Sequence, residues 1–116
     1  MKGTKLTICA AVAGLAFTGA AQAGPTATTV TVTAGKPSEL KFTLSKKSVA
    51  AGAVTFKVTN KGKTAHDFKI AGKKSALLRP GKSAVLAVKL KKGKAAYLCT
   101  LPGHAAAGMK GTITVK

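Results

Sequence analysis

From Thr28 onward the chain alternates with period two in short runs, a pattern that leaves little besides β structure open to it. Thr28–Thr33 is a ladder of Thr and Val. Leu40, Phe42 and Leu44 share one face of the next run, and Val54, Phe56 and Val58 share one face of the third. His66–Ile70 places His66, Phe68 and Ile70 together, and Ala84–Leu90, Ala95–Cys99 and Gly111–Val115 follow. Turn signals separate these runs at Ala34–Pro37, Ala51–Gly52, Asn60–Gly62, Arg79–Gly81 and Lys92–Gly93. Seven or so strands at this spacing predict an all-β chain, a β-sandwich or a barrel. Lysines on many outward positions discourage edge-to-edge pairing. The Ala-rich stretch Ala105–Ala107 is too short to stand as a helix. No repeat or linker divides the chain.

Ahead of this pattern, Met1–Ala23 has the parts of a secretory leader. Lys2 and Lys5 come first, an apolar run from Leu6 to Phe17 follows, and Ala21-Gln22-Ala23 is a small-x-small cleavage site. A membrane anchor is the competing reading. The run is broken by Thr7 and Gly14 and is shorter than the roughly 18–20 residues that span a bilayer. Cleavage after Ala23 leaves one domain, Gly24–Lys116, of 93 residues, in the periplasm or outside the cell. A domain this small is often stapled by a disulfide or a metal. Cys9 departs with the leader and Cys99 stays alone, so an internal disulfide is excluded. An exported single thiol then points to burial or to metal ligation.

Charge narrows the partners. The chain carries +18, which becomes +16 without the two leader lysines, and Glu39 and Asp67 are its only acids. Nucleic acid is disfavoured, because Trp is absent, Tyr97 is the one Tyr, and the lysines are spread along the chain. Acidic proteins or an anionic membrane surface fit the charge better, through steering that salt weakens.

The segment with chemistry in it runs from Tyr97 to Met109. Cys99, His104 and Met109 stand five residues apart in a C-x4-H-x4-M pattern between two predicted strands, with Pro102-Gly103 and Gly108 to turn the loop. Thiolate and thioether suit Cu(I), and imidazole suits both oxidation states of copper. A trigonal site of two His and one Cys with a distant Met lacks one histidine, and His66 is the only other in the chain. Each residue alone has an ordinary reading: Cys99 as a small buried hydrophobe, His66 as a surface or capping residue, Met109 as core. Together they point to one type 1 copper ion held by His66, Cys99, His104 and Met109.

The run Cys99-Thr100-Leu101-Pro102-Gly103-His104 with Met109 resembles the copper loop of the cupredoxins, in particular the azurin, plastocyanin and auracyanin group. The resemblance implies a Greek-key β-sandwich of about seven to eight strands with copper at one end. It also implies transfer of single electrons between Cu(I) and Cu(II), with no catalysed reaction. One position departs from the pattern: Asp67 stands where many members have an Asn that ties the two copper loops together. A free carboxylate beside the thiolate would lower the reduction potential, unless it is hydrogen-bonded or turned away.

The expected role is therefore a monomeric carrier that docks briefly on an acidic redox partner such as a cytochrome, an oxidase or a reductase. A copper-delivery protein using the same ligands is the nearest alternative. A copper enzyme would need further histidines, and a binuclear centre a second Cys. A cationic binding module without metal is the third possibility.

Overall fold

β-Branched residues pair where the alternation places them. The computed structural model describes residues 28–116, so the expected leader Met1–Ala23 and the domain start at Gly24 lie outside the described residues. Nine strands follow in order: β1 Thr28–Ala34, β2 Phe42–Leu44, β3 Ser48–Val49, β4 Gly52–Asn60, β5 Lys69–Ile70, β6 Lys73–Lys74, β7 Ser83–Leu90, β8 Gly93–Leu98 and β9 Lys110–Val115. They form two sheets, ordered β2-β1-β4-β7 and β3-β9-β8-β5-β6. β1 runs parallel to β4 and β3 parallel to β9, while the other pairs are antiparallel. No helix occurs among the described residues, and Ala105–Ala107 is part of a run of turns. The all-β sandwich expected from the sequence is the fold observed. Its strand count exceeds seven or eight because β3 and β6, each two residues long, add short outer pieces to the second sheet.

Register carries the alternation into the core. Val30 lies beside Phe56 and Val32 beside Val58 in the parallel pair, and Phe56 faces Leu86 across β7. From the other sheet Ile70, Ile113 and Val115 meet the same cluster, joined by Phe68 and Leu78. Burying each such side chain fully contributes about 1.5–3 kcal/mol, so the two faces hold each other.

Three predicted strands end differently. Leu40–Leu44 is extended only from Phe42, and Ala95–Cys99 ends one residue early, at Leu98. The run His66–Ile70 is ladder only at Lys69–Ile70. His66 instead forms an isolated bridge with Leu78, and the Phe68 N–H donates to the Ser75 hydroxyl at 3.0 Å. These departures gather at one end of the sandwich, where loops replace ladder. The last β8–β9 pair is Leu98 with Lys110, so Cys99 and Met109 leave the sheet side by side. The Cys99 N–H donates to the Met109 carbonyl at 3.1 Å.

Candidate metal centre

Two loops and one bridge bring the ligand types together. The 99–109 loop is closed by its own backbone: the His104 N–H donates to the Leu101 carbonyl at 3.1 Å, and the Met109 N–H to the His104 carbonyl at 3.0 Å. His66 is held by a reciprocal pair with Leu78, at 3.0 and 2.8 Å. Asn60, buried at the end of β4, shapes the connection before it. Its amide donates to the carbonyls of Thr64 and Leu78, both at 2.8 Å, and its oxygen accepts the Gly62 N–H at 2.8 Å.

The result is a convergence of His66, Cys99 and His104, with one donor atom from each lying within 4.8 Å of the others. His66 Nδ1 stands 3.3 Å from His104 Nδ1, and Cys99 Sγ stands 3.5 Å from the same nitrogen. A three-coordinate ion with bonds of roughly 2.0 Å to nitrogen and 2.3 Å to sulfur needs its donors about 3.5 Å apart. The residues present therefore fit a small ion of borderline-soft character. His66 is fully buried and Cys99 is 1% exposed, whereas His104 keeps an edge toward solvent. Met109 is fully buried beside Cys99 and Ala34, with Leu40, Phe42 and Leu101 packed around them.

Burial pushes the Cys99 thiol above its ordinary range, and the neighbouring Asp67 carboxylate adds to the rise. The backbone N–H groups of Asp67 and Leu101 oppose it. Binding a soft cation there displaces the thiol proton.

Asp67 is neither exposed nor free. It is 4% exposed, its Oδ1 accepts the Thr100 N–H at 2.6 Å, and its Oδ2 accepts the Thr100 hydroxyl. The carboxylate thus ties the His66 loop to the Cys99 loop, the task that the resemblance assigns to an Asn amide. Asp67→Ala is expected to lower stability by about 0.5–1.5 kcal/mol, because it removes the hydrogen bonds that join this carboxylate to Thr100. Asp67→Asn keeps an acceptor for that N–H and is expected to lose less. Thermal melts of the metal-free variants measure both.

Glu39 is the residue that sequence reasoning missed. It sits between β1 and β2, where the sequence showed it only as one acid among many lysines. Its Oε1 accepts the Lys63 N–H at 2.7 Å. Its Oε2 accepts the Thr64 N–H at 3.2 Å, the Thr64 hydroxyl at 3.0 Å and the His66 Nε2 proton at 2.6 Å. The Lys63 N–H and then the His66 ring hold its carboxyl down at about 2, against an ordinary 4.5. A carboxyl lowered on folding stabilises the protein fully above its unfolded value and loses that contribution as pH falls through its folded value. The metal-free protein is therefore expected to lose stability between about pH 4.5 and pH 2. In Glu39→Gln that part of the slope disappears, as acid titration followed by circular dichroism measures.

Comparison with known proteins agrees with this architecture. A family model described as the cupredoxin-like domain matches residues 5–115. Auracyanin B is 25% identical over 82% of this chain and 93% of its own, with a TM-score of 0.69. Auracyanin A, a "blue" copper protein from the green thermophilic photosynthetic bacterium Chloroflexus aurantiacus, is 20% identical over 78% and 100%, with a TM-score of 0.66. Rusticyanin from Thiobacillus ferrooxidans is 23% identical over 76% of each chain, also with a TM-score of 0.66. At those identities the last two speak to the fold alone. No curated protein matches the chain. With a family match across nearly its whole length, and two sheets that carry a His–Cys–His cluster at one end, the chain belongs to the cupredoxin-like family.

Proposed function

We propose that the protein is an exported single-electron carrier that holds one type 1 copper ion with His66, Cys99 and His104, and with Met109 as the weak fourth ligand. The observation that carries this reading is the convergence of two imidazole Nδ1 atoms and one thiol sulfur at donor spacing, in a pocket closed to water on the His66 side. Copper bound there supplies a one-electron couple between Cu(I) and Cu(II). The chain's own part is to hold the donors still. Cys99 gives up its proton and presents sulfur from just beyond β8, and His66 is clamped by Leu78 and Glu39. Met109 sits just before β9 with its side chain buried next to Cys99. A ligand frame fixed by backbone bonds moves little between oxidation states, which favours rapid electron transfer.

His104 is the way out to a partner, being the one imidazole with an edge toward solvent. Leu101, Pro102, Ala105, Ala106 and Ala107 surround it in sequence and give a small apolar contact area. Lys41 places its ammonium against Gly108, where an added Cβ would stand 3.0 Å from Nζ. A cation at the rim of the loop favours an acidic redox partner and a fast, salt-sensitive encounter. The same charge also suits an anionic membrane surface, and neither partner requires more than a monomer.

The test is visible absorption and electron paramagnetic resonance after adding one equivalent of Cu(II). An intense charge-transfer band with narrow copper hyperfine splitting, retained through cycles of reduction and reoxidation, is the expected result. An ordinary Cu(II) spectrum would sink the carrier reading. A type 1 spectrum with rapid loss of Cu(I) to an acceptor chelator would favour copper delivery instead.

A further inference from the structure

We propose that Glu39 is a positioning residue of the metal centre, locking His66 as its Nε2–H tautomer so that the bare Nδ1 faces His104 and Cys99. His66 is fully buried, so water does not serve its ring nitrogens, and a buried N–H needs a protein acceptor. An ionised carboxylate only accepts. The 2.6 Å contact between Glu39 Oε2 and His66 Nε2 therefore places the proton on Nε2. The other neighbour of that nitrogen, the Thr64 hydroxyl, is 3.5 Å away and already donates to Glu39, so it offers no competing bond. With Nε2 protonated, the lone pair of a neutral His66 lies at Nδ1, 3.3 Å from His104 Nδ1.

The surrounding backbone is shaped to admit this carboxylate. Gly62 lies against it: a Cβ there would stand 3.0 Å from His66 Nε2 and would collide with Glu39 Oε2. Gly35, at φ 86°, lets the loop carrying Glu39 come so near that its own added Cβ would stand 2.5 Å from the Gly62 Cα. The Lys63 and Thr64 donors then hold the carboxylate in one orientation. A carboxylate on the far nitrogen of a ligating imidazole fixes its orientation and raises its basicity. It thereby favours the more highly charged Cu(II) and lowers the reduction potential. The consequence for copper rests on the function proposed above, whereas the tautomer is a property of the metal-free protein.

The experiment pairs long-range 1H–15N NMR of the metal-free full chain with Cu(II) titration and voltammetry, for the wild type, Glu39→Gln, Glu39→Ala and Gly62→Ala. In the wild type the His66 signals should be those of the Nε2–H tautomer, with a strongly deshielded Nε2 proton. Glu39→Gln keeps an acceptor, so the tautomer should persist with an upfield-shifted proton. Glu39→Ala should give mixed tautomers, and Gly62→Ala should move the same way with Glu39 still present. In the alanine variant Cu(II) affinity should fall about 10- to 100-fold, and in Glu39→Gln the potential should rise while the Cys99 absorption band remains. An Nδ1–H tautomer in the wild type would overturn the proposal. So would a Glu39→Ala protein that melts earlier yet keeps the tautomer and the potential, since Glu39 would then only staple two loops. If the tautomer responds as stated but no type 1 spectrum forms, the electron-carrier reading fails and the role of Glu39 stands.

Discussion

Cys99→Ala is expected to abolish the visible charge-transfer band and lower copper affinity by orders of magnitude, while leaving a folded β-sandwich. Cys99 supplies the only thiol among the described residues, and the intense transition of a blue site arises on that sulfur. Imidazoles at positions 66 and 104 would still bind Cu(II), giving a weak, ordinary spectrum. The structural cost is small by comparison. Alanine in place of a small buried side chain loses about 1 kcal/mol, and the Cys99 N–H bond to Met109 is backbone and survives. Absorption, copper titration and a far-ultraviolet spectrum on the same sample separate the two effects. A variant that kept the intense band would place the chromophore elsewhere.

Phe68→Ala is expected to have the largest effect on stability. Phe68 is fully buried, and three rings surround it. Phe42 stands at 5.3 Å edge-on, Phe56 at 5.3 Å and Tyr97 at 5.5 Å between centroids. Removing a ring from such a place costs about 3–5 kcal/mol, out of a total of roughly 5–15 kcal/mol for a domain of ordinary stability. The melting temperature should fall by about 20 °C. Phe68 also follows His66 and Asp67 directly, so relaxation around the cavity should loosen both loop ties. The comparison belongs in metal-free protein, because bound copper adds stability by mass action and hides part of the loss. A loss below about 1 kcal/mol would mean that the four rings are not a packed unit.

Much of this molecule is written locally. Period-two alternation of Val, Phe and Ile placed β1, β4, β7 and β9 correctly, because the pleat alone decides which side chains point inward. The Cys99–Met109 loop was legible for a similar reason, since its three donor residues and its turn residues lie within eleven positions of one another. His66 was found by economy, as the only histidine left.

Contacts made only when distant loops meet were not legible. Asp67 stood at a position that could tie the two copper loops, but its partner was not legible: it accepts from Thr100, and that pairing exists only because β5 lies beside β8. Asn60 read as a turn residue and is a buried clamp between Thr64 and Leu78. Glu39 precedes His66 by 27 positions and reaches it across two glycines that let the backbones touch. Hydrophobic alternation is an average property of many residues and survives in the linear sequence. A single hydrogen bond between loops depends on positions set to within half an ångström, and those are decided by how the two sheets pack.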